Sequence, residues 1–197
     1  MVRRSIRISS YIMLPLMVGL ALVAEPFVKL LLTDKWLPCV PFIQITCVVF
    51  AFRPIHTANL QVIKAMGRSD IFLKLEIIKK TIGIVVLCGV MRFGVIAIAV
   101  SGIFTTALST VINAGPNRKL LGYSYIEQIK DLLNPLIPIL GMIIAIWAIG
   151  FIPASPLTLL CIQIPIGATS YVLVSWVTRN ESFKYSVSLV KSLVKKK

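Results

Sequence analysis

Apolar residues run through this chain in six long blocks, near 9–32, 37–57, 76–92, 95–114, 132–152 and 157–177. Polar and charged residues collect between the blocks. A helix needs about 20 mostly apolar residues to cross a hydrocarbon core of ~30 Å. Each block is therefore read as one spanning helix. The pattern predicts an all-α polytopic membrane protein with six transmembrane helices. The predicted division is a six-helix bundle over 1–177 and a basic amphipathic tail over 178–197.

Basic residues set the expected threading. Of the 21 lysines and arginines, all but Lys29, Lys35, Arg53 and Arg92 fall in alternate segments. These are the start (Arg3, Arg4, Arg7), the second and fourth connections, and the tail. Cytoplasmic loops carry such an excess, so both termini of this multi-pass membrane protein are expected in the cytoplasm. Trp36, Trp147 and Trp176 fall near expected helix ends, where indole rings favour the interface.

Two connections read as surface helices. Residues 117–131 repeat Leu121, Tyr125 and Ile129, with Arg118, Lys119, Glu127 and Lys130 elsewhere. The tail sets Phe183, Val187, Val190 and Val194 on one face, with Lys184, Lys191 and Lys195 on another. Basic amphipathic helices of this kind lie in the headgroup layer; the alternative is a short solvated helix.

Composition changes little in this picture. The hydrophobic fraction is 57% and mean hydropathy is +0.91, both above a soluble domain. The net charge of +14 would suggest nucleic acid in a soluble protein. Here it is split among loops, so orientation and anionic lipid explain it better, and no nucleic-acid partner is expected. Cys39, Cys47, Cys88 and Cys161 lie inside apolar blocks with no CxxC pairing, so neither disulfide nor zinc is expected. His56 is the single histidine and has no cluster of metal-ligating neighbours. No phosphate-binding loop, serine-nucleophile or zinc-hydrolase motif occurs. The chain is read as a non-enzyme without metal or cofactor.

Polar residues inside spans are costly and mark candidate sites. Glu25 can pair with Lys29 one turn on, and Pro26 removes the donor that would bond Leu22, bending or breaking the helix. The pair could face an internal cavity, or lie at the outer interface with Lys29 snorkelling. Arg53 precedes Pro54, with His56, Asn59 and Lys64 following. Arg53 could hold phosphate bidentately or snorkel. Ser101, Thr105, Ser109 and Asn113 recur every fourth residue and share a face, which could pack tightly or line a wet cavity.

Residues 12–36, with Ala24-Glu25-Pro26 and Lys35-Trp36 before Pro38 and Pro41, resemble the Wzx-like oligosaccharide flippases. So do Ile63-Lys-Ala-Met-Gly-Arg-Ser-Asp70, Phe72–Lys80 and Leu120–Tyr123, and the resemblance covers nearly the whole chain. It implies a MATE-like fold of the multidrug/oligosaccharidyl-lipid/polysaccharide superfamily. It also implies export of a lipid-diphosphate-linked oligosaccharide by alternating access, with Arg53, Lys64 and the polar face of the fourth span in the cavity. Such exporters have 12 or 14 spans in two bundles. Six spans resemble the C-terminal one, so a missing N-terminal bundle or a second copy is an expected partner, and a glycan polymerase a further one. Arg53 departs from the aromatic or small residue expected before Pro54. The alternatives are a cation-coupled multidrug antiporter of the same fold, with Glu25 as its carboxylate, and a non-transporting scaffold for glycan-assembly enzymes.

Overall fold

A computed structural model describes residues 2–152, 154–179, 181–183 and 185, without the side chains of 118–121. All regular structure among them is helical. The order is α1 (Val2–Leu22), α2 (Ala24–Leu32), a 3₁₀ turn (Asp34–Cys39), α3 (Val40–Ala51) and α4 (Arg53–Ala65). Then come α5 (Ser69–Val90), a short 3₁₀ turn (Met91–Phe93), α6 (Val95–Leu121), α7 (Tyr125–Leu132), α8 (Leu136–Gly150) and α9 (Pro156–Val177). This is an all-α polytopic membrane protein.

The helix boundaries have local causes. Gly67 and Gly122 take φ of +68° and +66° just past α4 and α6, a conformation that a side chain disfavours and glycine accepts freely. Ser124 opens α7 with a capping box. Its backbone N–H donates to Glu127 Oε2 at 3.0 Å, and the Glu127 N–H donates back to Ser124 Oγ at 3.4 Å. Ser155 caps α9 by accepting from the Thr158 N–H at 3.3 Å, and Pro156 follows at the first helical position, where its missing donor costs nothing. The chain bends at Val23 between α1 and α2, one turn before Pro26, as the missing proline donor predicts.

The spans differ in number and bounds from the six expected. Among the described residues, four stretches are long and apolar enough to cross a membrane: Val2–Leu22, Asp34–Ala65, Val95–Asn117 and Pro156–Val177. Helices α7 and α8, bent by 40°, make a fifth if taken together. The expected third span lies in α5, whose first half carries Asp70, Lys74, Glu76, Lys79 and Lys80, and it does not reach that apolarity. The first helix starts at Val2 and not near residue 9, so Arg3, Arg4 and Arg7 sit on its opening turns. The second continues to Ala65 and not 57, which brings Asn59 and Lys64 inside a helix. The surface helix expected over 117–131 is instead the end of α6 and the separate α7. The expected tail helix, with Lys184, Val187, Val190, Lys191, Val194 and Lys195, lies outside the described residues except at Phe183.

The chain divides into two compact units, residues 1–6 with 45–132, and residues 7–44 with 133–197. The first is built on α4, α5, α6 and α7. The second packs α8 on α9 and α2 on α9. Its core is Tyr11, Val23, Ile139, Met142, Ile146, Leu160 and Tyr171. The rings of Tyr11 and Tyr171 are 5.2 Å apart, and the Tyr171 hydroxyl donates to the Tyr11 carbonyl at 2.7 Å. Large apolar side chains cover the outside of both units, Phe93 (78% exposed) and Val177 (72% exposed) among them. Such a continuous apolar surface suits lipid rather than water.

Helices α8 and α9 approach closely because glycines lie between them. A Cβ on Gly141 would come 2.8 Å from Val174 Cγ2, and one on Gly167 would come 2.8 Å from Ile146 Cδ1. Small residues at such contacts let membrane helices pack by van der Waals forces alone. Gly141→Val is expected to destabilise by about 1–3 kcal/mol through overpacking. Gly83→Ala, with nothing within 4 Å, is the matched control. Thermal unfolding in detergent checks both, and equal melting temperatures would contradict the contact.

Candidate functional site

The first unit holds a chain of buried amides. Asn59 on α4 is fully buried. Its Nδ2 donates to Gln128 Oε1 on α7 at 2.7 Å. Asn117 Nδ2 on α6 donates to Asn59 Oδ1 at 2.6 Å and to the Asn59 carbonyl at 3.2 Å. Gln128 Nε2 donates onward to the Tyr123 carbonyl at 3.4 Å. Three helices are thereby pinned by one asparagine. One turn before Asn117, Asn113 Nδ2 lies 2.9 Å from His56 Nδ1.

A charged cluster continues the chain. The Tyr123 hydroxyl donates to Asp131 Oδ2 at 2.7 Å, and Arg3 Nε lies 2.7 Å from the same oxygen. Asp131 is buried and the Arg3 side chain is half exposed. Burial first, then the bond to Asp131, pushes the Tyr123 phenol above its ordinary value, so it stays a protonated donor. Lys79 pairs with Glu76 one turn earlier on α5. Seen from outside, α7 is inverted: Gln128 and Asp131 point inward while Ile126 is 67% exposed.

The sequence candidates fare unequally. Asn59 enters the buried chain, and the half-buried His56 pairs with the buried Asn113 one turn away. Arg53 is exposed, its guanidinium 5.5 Å from the Phe50 ring centre, and Lys64 lies exposed over the Phe72 ring at 4.7 Å. Ser101 and Thr105 are half-buried and bond their own helix, at the Ile98 and Gly102 carbonyls. Ser109 is half-buried while Thr110 beside it is fully buried. In the second unit, Lys29 Nζ lies 2.7 Å from Glu25 Oε1, an exposed pair just past the bend before Pro26. Sequence reasoning missed Arg3, Asn117, Tyr123, Gln128 and Asp131. Asn117 continues the four-residue series ending at Asn113, and that spacing could have found it.

The second unit has an apolar cavity of about 490 Å³ between α1, α8 and α9. Tyr11, Gly19, Met142, Gln163, Gly167 and Tyr171 are among its lining residues. Gln163 is its buried polar member, with an Oε1 that has no partner among the described residues.

The helices and these buried polar groups define a multi-pass membrane protein. Residues 1–41 match the family described as "Polysaccharide biosynthesis protein". An uncharacterized membrane protein in the cps region of Klebsiella pneumoniae is 25% identical over 97% of this chain and 40% of its own length. The lipopolysaccharide biosynthesis protein WzxC of Escherichia coli is 26% identical over 70% of this chain and 28% of its own. The teichuronic acid biosynthesis protein TuaB of Bacillus subtilis is 28% identical over 55% of this chain and 22% of its own. The chain is thus similar to membrane proteins named for polysaccharide biosynthesis. It spans 40% or less of the length of these curated relatives. No solved structure matches it.

The amide chain makes a direct energetic test possible. Asn59→Ala leaves Asn117 and Gln128 short of a partner, and Asn117→Ala removes one of the same bonds. A double-mutant cycle on the two is expected to show coupling of about 0.5–3 kcal/mol. Additive unfolding energies would show that the two side chains do not act together.

Proposed function

We propose that this chain is part of a membrane transporter that flips a lipid-linked oligosaccharide, a precursor of surface polysaccharide, across the bacterial cytoplasmic membrane by alternating access. The observation that carries this reading is the buried, hydrogen-bonded polar chain on α4, α6 and α7, set among helices whose outer faces are apolar. Polar groups at membrane depth are costly and mark candidate functional sites. The relatives named for lipopolysaccharide and teichuronic acid biosynthesis supply the substrate class. In this reading the protein is not an enzyme, and both its termini face the cytoplasm.

The share of the relatives covered supports a second half as partner, either an N-terminal bundle or another copy of this chain. His56, Asn59 and Asn113 are the residues assigned to the path. Arg53 and Lys64, exposed and stacked on aromatic rings, fit interfacial anchoring better than a buried phosphate clamp. The antiporter alternative gains little from Glu25, which is exposed and neutralised by Lys29.

The test is allele replacement in the source bacterium, scored by surface polysaccharide and by lipid-linked precursor retained on the cytoplasmic face. Asn59→Ala and His56→Ala, at wild-type protein abundance, are expected to lower surface polysaccharide at least tenfold and to accumulate precursor. Arg53→Ala is expected to leave export unchanged. Normal export from a strain lacking the gene would overturn the reading.

A further inference from the structure

We propose that His56 and Asn113 form a proton-binding site inside the first unit, one in which the imidazole keeps the same partner whether it is neutral or charged. The proposal goes beyond the export reading and does not rest on it.

In the structure Asn113 Nδ2 faces His56 Nδ1 at 2.9 Å. An amide nitrogen only donates, so Nδ1 accepts and the ring hydrogen sits on Nε2. Asn113 is fully buried. Its Oδ1 has no hydrogen-bond partner among the described residues, and a bare buried acceptor is costly. Turning the carboxamide over exchanges oxygen for nitrogen at nearly constant shape. Oδ1 then faces Nδ1, and the bond reforms when Nδ1 carries a hydrogen. With Nε2 already protonated, that hydrogen is the bound proton. It comes from solvent, no covalent bond in the protein breaks, and the ring gains one positive charge. The unpartnered oxygen of the neutral state becomes the acceptor of the charged one.

Among the described residues, three charged groups act on the ring. Lys79 and Glu76 on α5 and Arg53 on α4 are the charged groups whose fields reach the ring. Glu76 favours the imidazolium, while Lys79 and Arg53 oppose it. Lys79 is ion-paired to Glu76, so their opposed fields partly cancel at the ring. Arg53 is exposed and screened. Among the described residues, the groups from α6 are Asn113 and its uncharged neighbours, and no charge from α7 acts on the ring. A histidine in such a setting is the one side chain whose ordinary titration falls near neutral pH.

A single histidine makes the site directly observable. The whole chain would be labelled with ¹⁵N-histidine, purified through a histidine-free tag, placed in lipid nanodiscs and followed by imidazole ¹⁵N NMR from about pH 5 to 9. At the alkaline end Nε2 is expected to be protonated and Nδ1 bare. On acidification both nitrogens are expected to become protonated in one step. Asn113→Asp places a carboxylate against Nδ1 and is expected to raise proton affinity at least tenfold, about one pH unit. Asn113→Leu removes both amide atoms and is expected to abolish the alkaline preference for Nε2–H. A ring that stays neutral to the acid limit, an alkaline form protonated on Nδ1, or an Asn113→Asp midpoint equal to wild type would each overturn the proposal. Should both variants fail to fold, the wild-type titration decides it alone.

Discussion

Hydrocarbon offers a polar group no partner, so a buried amide in a membrane bundle is bonded by the protein or not at all. Asn59 is where that constraint is met in this chain. Its side chain both donates and accepts, and so ties α4 to α6 through Asn117 and to α7 through Gln128. The position of α7 follows from this. A short helix with Ile126 outward and Gln128 and Asp131 inward would be unstable in water, where its faces would reverse. Lipid outside and amide partners inside reward the inverted arrangement. Asp131 then lies where Arg3 and Tyr123 can hold it, which anchors the first residues of the chain to the same unit.

The two units solve the packing problem differently. In the first, polar side chains join helices, and the bonds specify which residue meets which. In the second, glycines do so: Gly141 and Gly167 bring α8 and α9 within reach of Val174 and Ile146. Association between apolar helices in lipid has no hydrophobic drive, so close contact and hydrogen bonding are the available means. The Tyr171–Tyr11 bond adds one polar tie to the second unit. It consumes a tyrosine hydroxyl that burial would otherwise leave bare.

The helical class and the membrane setting were legible in the sequence because both depend on block length and apolarity. The break before Pro26 and the Glu25–Lys29 pair were legible for local reasons, a missing donor and an i,i+4 spacing. Helix ends were not. Residues Pro54–Ala65 carry polar side chains, and their helix is held by contacts to α6 and α7 that sequence periodicity does not contain. The reading of 117–131 failed in the same way. Its repeat at Leu121, Tyr125 and Ile129 suggested an apolar docking face, but Gly122 ends one helix and the Ser124 capping box starts another. The face that became buried carries Gln128 and Asp131 beside Leu132.

The candidate site was half legible for a related reason. Intramembrane polarity singles out His56 and Asn59, in the polar cluster after Pro54, and Asn113, the last of the series from Ser101. It also singles out Arg53, whose long side chain can reach the surface and does. Length is the physical discriminator. An asparagine on a spanning helix cannot snorkel, since its amide lies only two carbons from the backbone, whereas arginine and lysine escape along their stems. Short polar residues therefore report on the interior and long basic ones on the interface. By that criterion the interior of the first unit holds the amides of Asn59, Asn113, Asn117 and Gln128, with Asp131 held between Arg3 and Tyr123.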